Sequence, residues 1–103
     1  MYKISFFVPE NDVDIVKNAL FEAGAGRIGN YDSCSWQILG TGQFRGLKES
    51  KPTVGNAGEI TRVSEYKVEL VCEKMYLKEA IKALRESHPY EEPAYDVIKL
   101  EEF

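Results

Sequence analysis

The sequence predicts one α+β domain in which a four-stranded antiparallel sheet carries two helices on one face. Three observations predict it. Apolar residues alternate with polar ones from Met1 to Val8 and again from Val63 to Cys72, apolar residues at helical spacing fill two segments between the extended stretches, and glycines or prolines punctuate each change. The resulting order is strand, helix, strand, strand, helix, strand. Each half is a split β-α-β unit, and right-handed crossovers place the strands in the spatial order 4-1-3-2, the ferredoxin-like arrangement.

Tyr2, Ile4, Phe6 and Val8 form one face of the first strand, with Lys3, Ser5 and Phe7 on the other. Pro9 interrupts it, Asn11 is a candidate cap, and Val13, Val16, Leu20 and Ala23 give the first helix its apolar stripe. Gly24 ends that helix. A glycine-punctuated loop follows to Ser35, and extended structure resumes from Cys34 to Leu39 around Trp36 and Ile38. The glycines follow a helix and lead into a strand, whereas a phosphate cradle needs backbone N–H groups at the start of a helix, so a tight turn explains them better. Residues 40 to 62 read as a long excursion with five glycines and four lysines or arginines, too long for a plain hairpin link. Its Phe44, Leu47 and Val54 are suited to covering a sheet edge or reaching a neighbouring subunit. Beyond Cys72, the residues Leu77, Ala80, Ile81 and Leu84 define a second helix from about Met75 to Ser87, and Ala94 to Leu100 is the last strand.

At 103 residues, the chain is long enough to bury roughly two-thirds of its unfolded surface in one core, so residues 1 to 103 are read as a single domain. The 17 acidic and 13 basic residues leave a net charge of −4, and the cations are scattered, which argues against nucleic acid or an acidic membrane as partner. No stretch has the length of a membrane span and no leader precedes a cleavage site, so the cytoplasm is the expected address. Cys34 and Cys72 are too few for a disulfide framework, and reduced thiols are expected.

The densest chemistry lies in His88-Pro89-Tyr90-Glu91-Glu92-Pro93-Ala94-Tyr95-Asp96, which holds the only histidine and two of the four prolines. Two readings stand. Pro89 and Pro93 stiffen a helix-to-strand connector, or His88, Glu91 and Glu92 face a divalent metal, zinc or copper by the chemistry of the donors. The topology puts this stretch at one end of the sheet, beside Pro9, Glu65 and the long excursion, and puts Cys34 and Cys72 at the other. A Cys-Cys-His site within one subunit is therefore not expected, nor is a Cys-His nucleophile pair. Glu91 and Glu92 are adjacent, so in extended backbone they point to opposite sides and make a poor acid and base pair. Tyr31, Asp32, Cys34, Phe44 and Tyr90 are the candidate contact residues for a partner or small ligand.

Gly26-Arg27-Ile28-Gly29-Asn30-Tyr31-Asp32-Ser33-Cys34-Ser35-Trp36, the Gly40-Thr41-Gly42-Gln43-Phe44 turn, Gly55-Asn56-Ala57-Gly58 and the His88 stretch together resemble the inserted domain of the Ngg-one-interacting-factor-three family, some members of which carry the name type-two GTP cyclohydrolase. The resemblance runs along nearly the whole chain. It implies a ferredoxin-like domain similar to the CutA divalent-cation-tolerance proteins and the PII signalling proteins, both trimeric, and CutA proteins have a His-Pro-Tyr-Glu stretch at the same place. In the full-length relatives a dinuclear metal site is built by histidines and carboxylates of two flanking segments that this sequence does not contain. The expectation is accordingly a stand-alone, non-catalytic module that forms a homo-oligomer, a trimer by this resemblance, and presents a surface to a partner or small ligand, with metal binding through His88 as the alternative. Trp36 stands where the family has Phe or Tyr, a change of bulk that bears on packing.

Overall fold

The computed structural model describes residues 1–103. Strand β1 (Tyr2–Pro9) leads through a single 3-10 turn (Glu10–Asp12) into helix α1 (Val13–Glu22). Strands β2 (Trp36–Arg45) and β3 (Ile60–Cys72), helix α2 (Lys74–Ser87) and strand β4 (Tyr95–Lys99) follow. The sheet is antiparallel throughout, in the order β2-β3-β1-β4, which is the expected order read from the opposite edge. The ferredoxin-like fold is thus observed. No helix is long and apolar enough to cross a membrane.

Alternation decides which face carries the helices. Ile4, Phe6 and Val8 on β1 and Val68, Leu70 and Cys72 on β3 are buried beneath Val13, Val16 and Leu20 of α1 and Ala80 and Leu84 of α2. Each large aliphatic or aromatic side chain so buried contributes about 1.5–3 kcal/mol. Lys17 Nζ donates to Gln37 Oε1 at 2.8 Å, tying α1 to the outer strand. The opposite face of the sheet carries no helix.

The excursion expected over residues 40 to 62 is shorter, because strand takes up both of its ends. β2 runs on to Arg45 and β3 begins at Ile60, leaving residues 46–59 as the loop. The pairing is continuous from Trp36 opposite Glu69 to Arg45 opposite Ile60, so the glycines at 40 and 42 lie inside a ladder instead of breaking it. At about 3.3 Å per residue the thirteen-residue β3 spans about 43 Å. It accounts for the 46 Å long axis of a molecule only 24 Å across. The 3-10 turn is a second departure, since neither Asn11 nor Asp12 caps α1 through its side chain.

At the α1 end, glycine permits a close approach. Gly24 has φ 108°, and a Cβ there would press on the Tyr76 ring of α2 at 2.6 Å. Arg27 lies over the other reach of that ring, 5.2 Å from its centroid. Gly24→Ala is expected to lose about 1–3 kcal/mol, from left-handed backbone strain and displaced aromatic packing together. Urea unfolding measures it, and an unchanged midpoint would contradict the packing described.

Candidate functional site

The His88 segment begins where α2 stops. His88 leaves helical backbone at φ −73°, ψ 137°, as Pro89 behind it requires. Its ring is buried, at 6% exposure, and both nitrogens are engaged. The Tyr90 backbone N–H donates to Nδ1 at 3.1 Å, so Nδ1 carries no proton; Nε2 must then be the protonated nitrogen, and it donates to the Phe7 carbonyl at 2.6 Å. Phe7 lies where β4 is just beginning: its N–H reaches the Ala94 carbonyl at 3.3 Å, and the imidazole takes its C=O. His88 completes the edge of the sheet. Burial pushes its pKa below the ordinary value, with the Phe7 carbonyl and the charge of Asp12 opposing that shift.

The structure does not bring His88, Glu91 and Glu92 together as one cluster. The imidazole faces inward with its lone pair committed to Tyr90, while both glutamates are exposed. No three His, Cys, Asp or Glu side chains converge anywhere in the chain. For His88 to ligate zinc or copper, one of two backbone hydrogen bonds would have to be given up.

Beside His88 lies a cavity of about 430 Å³, within the size range of small-molecule sites. Three elements build it. Phe7, Phe44 and Glu65 supply the floor from the helix-free face of the sheet; Tyr90, Glu91 and Glu92 form one wall; and residues 46 to 53 of the loop form the other. Thr53 Oγ1 donates to the Pro89 carbonyl at 2.8 Å and fastens the loop to the His88 segment. The Tyr90 ring is packed between Phe44, at a centroid distance of 6.0 Å, and His88, at 5.1 Å. Its hydroxyl is buried without a hydrogen-bond partner. Burial raises the Tyr90 pKa, and the carboxylates of Glu65 and Asp12 add to that rise.

Glu65 sits over Gly42, where any side chain would overlap its carboxylate. It forms no ion pair, and burial raises its pKa above the usual carboxylate value. A raised folded-state pKa means that the stability contributed by the protonated form is complete at low pH and is lost as pH rises through that pKa. Glu65→Gln is therefore expected to raise the neutral-pH melting temperature and to remove this part of the pH dependence. A lower melting temperature at neutral pH would contradict an unpaired, desolvated carboxylate.

The five candidate contact residues fall in two places. Phe44 and Tyr90 meet at the cavity. Tyr31, Asp32 and Cys34 lie at the far end of the sheet, on a loop held by hydrogen bonds from Cys34 N–H to the Gly26 carbonyl and from Gly26 N–H to the Val71 carbonyl. Tyr31 is 75% exposed there, on a tight turn paired with Ile28. Cys34 is half-buried and Cys72 buried, and both are free thiols. Burial raises the Cys72 pKa, with the charge of Glu73 adding to it, the opposite of nucleophile activation. Phe7, Glu65 and Thr53 were not singled out as site residues. Phe7 had a signal, being the one large apolar residue on the polar side of the first strand; the fastening by Thr53 had none.

The fold is that of a small CutA-like, ferredoxin-like domain. No family model matches the chain. In sequence it is similar to proteins named GTP cyclohydrolase 1 type 2 homolog: it is 45% identical over 94 residues to that of Mycobacterium tuberculosis and 41% identical over 100 residues to that of Bacillus subtilis. These matches cover 91% and 97% of the chain but only 25% and 27% of the relatives, so the chain spans about a quarter of their length. A Bacillus cereus protein related to NIF3 superposes with a TM-score of 0.80 at 38% identity, covering 98% of this chain and 26% of that one. CutA of Pyrococcus horikoshii superposes with a TM-score of 0.70 at 19% identity, covering 100% of this chain and 87% of that one, a likeness of fold.

Proposed function

We propose that the chain is a non-catalytic module whose role is homo-oligomeric assembly, with three subunits. The observation that carries this reading is the outer edge of β2. Ten residues long and free of proline, it offers a row of unpaired backbone N–H and C=O groups, and its one charged residue is Arg45 at the end. Soluble proteins guard such an edge with charge, proline or a bulge, and β2 has no interior charge and an unbroken register. Trp36, Ile38 and Leu39 flank it at 56%, 53% and 48% exposure. Trp36 and Ile38 point to the helix-free face, on which Ile98 of β4 is also 54% exposed.

Exposed Trp36, Ile38 and Ile98 on a face between two open edges suit association in which β2 of one subunit meets a different edge of the next. Such head-to-tail contacts close into a ring when the rotation allows. Three is the number that the CutA-like resemblance implies. The non-catalytic part of the reading is supported by the side chains that chemistry would need: His88 has no free nitrogen and Cys72 is buried with a raised pKa. Sedimentation equilibrium of the untagged chain tests the assembly, with self-association at micromolar concentration as the expected result.

A further inference from the structure

We propose that the cavity beside His88 is a binding site for a small organic cation with a flat apolar body, such as an aryl amidine or aryl amine. The site lies within one subunit and does not rest on the assembly reading. Phe7, Phe44 and Tyr90 supply aromatic surface against which a flat group can pack and over which a cation is attracted. Glu65, Glu91 and Glu92 against the single guanidinium of Arg45 give the lining an excess of negative charge.

Two groups lack partners there, and one ligand would supply both. Glu65 is partly desolvated with no cation beside it, a state that is costly to maintain unless something is gained by it. Tyr90 keeps a buried hydroxyl unpaired, within the influence of the Glu65 charge. A planar N–H donor bearing positive charge would hydrogen-bond to the Glu65 carboxylate and offer the tyrosine oxygen a second N–H. Gly42 holds the floor open, because a side chain there would take the space in which the Glu65 carboxylate lies. The Thr53 bond to Pro89 keeps the loop wall in place without contributing charge.

The test uses the full chain in its native assembly, titrated with benzamidine, with neutral benzamide and anionic benzoate as shape-matched controls, and followed by amide chemical shifts. The expected result is saturable shifts at Phe44, Glu65 and Tyr90, with benzamidine bound about tenfold or more tightly than benzamide and benzoate not bound. Glu65→Gln should remove most of the preference for benzamidine over benzamide, and Tyr90→Phe should weaken benzamidine by about three- to tenfold while preserving the spectrum of the free protein. No saturable shift at the cavity, equal binding of the three probes, or a preference for benzamidine that is undiminished in Glu65→Gln would each overturn the proposal.

Discussion

The double variant Trp36→Lys, Ile38→Glu is expected to be a folded monomer. In the sheet, Trp36 lies opposite Glu69 and Ile38 opposite Lys67, so each new charge faces its opposite across the strand pair and the isolated subunit keeps its fold. In an assembly, the same charges would enter an interface built on exposed aromatic and aliphatic surface. Removing a tryptophan anchor from such a surface weakens association by about 2 kcal/mol or more, and desolvating the two new charges adds to it, so the dissociation constant should rise by at least about 100-fold. Circular dichroism should be unchanged while sedimentation shows single chains. A variant that assembles as the parent does would remove β2 from the interface.

His88→Ala is expected to lose about 2–4 kcal/mol of stability, because the Phe7 carbonyl and the Tyr90 N–H would each be left without a partner at a buried place. For a domain of this size that is a fall in melting temperature of roughly 10–25 °C. The loss should be the same with and without added zinc or copper if the ring serves the sheet edge. The parent should also show a pH dependence that the variant lacks. The folded-state pKa of His88 lies below 6.5, so the unfolded chain takes up its proton first. The stabilisation by the neutral ring is complete above 6.5 and is lost as pH falls from there through the folded-state value. Comparing melting temperatures of the parent and variant across that interval isolates the contribution. An equal slope in both would mean that His88 is not held neutral by its surroundings.

Much of the fold is legible in the sequence because alternation and helical spacing act over short distances. Ile4, Phe6 and Val8 against Val68, Leu70 and Cys72 specify which sides of β1 and β3 meet the helices, and the right-handed crossover rule does the rest. What escaped the sequence reading was the extent of β2 and β3. Gly40 and Gly42 look like breakers, yet Gly42 is needed where it is because the side chain of Glu65 lies across it in the paired strand. That requirement comes from a residue 23 positions away, and no local signal reports it. The site divides in the same way. The density of His88, Tyr90, Glu91 and Glu92 draws attention to the correct end of the sheet, and Pro89 states that the backbone there is extended. The direction of the imidazole depends on the Phe7 carbonyl, 81 residues earlier, and the closing of the cavity depends on Thr53 reaching the Pro89 carbonyl. Those pairings exist only in three dimensions.

Native mass spectrometry of the untagged chain, prepared without chelator, tests the central claim most directly because it reads subunit number and bound mass at once. A single species of three chains with no metal adduct is the expected result. A single chain persisting at concentrations well above the micromolar range would contradict the assembly reading, and with it the role given to the open edge of β2.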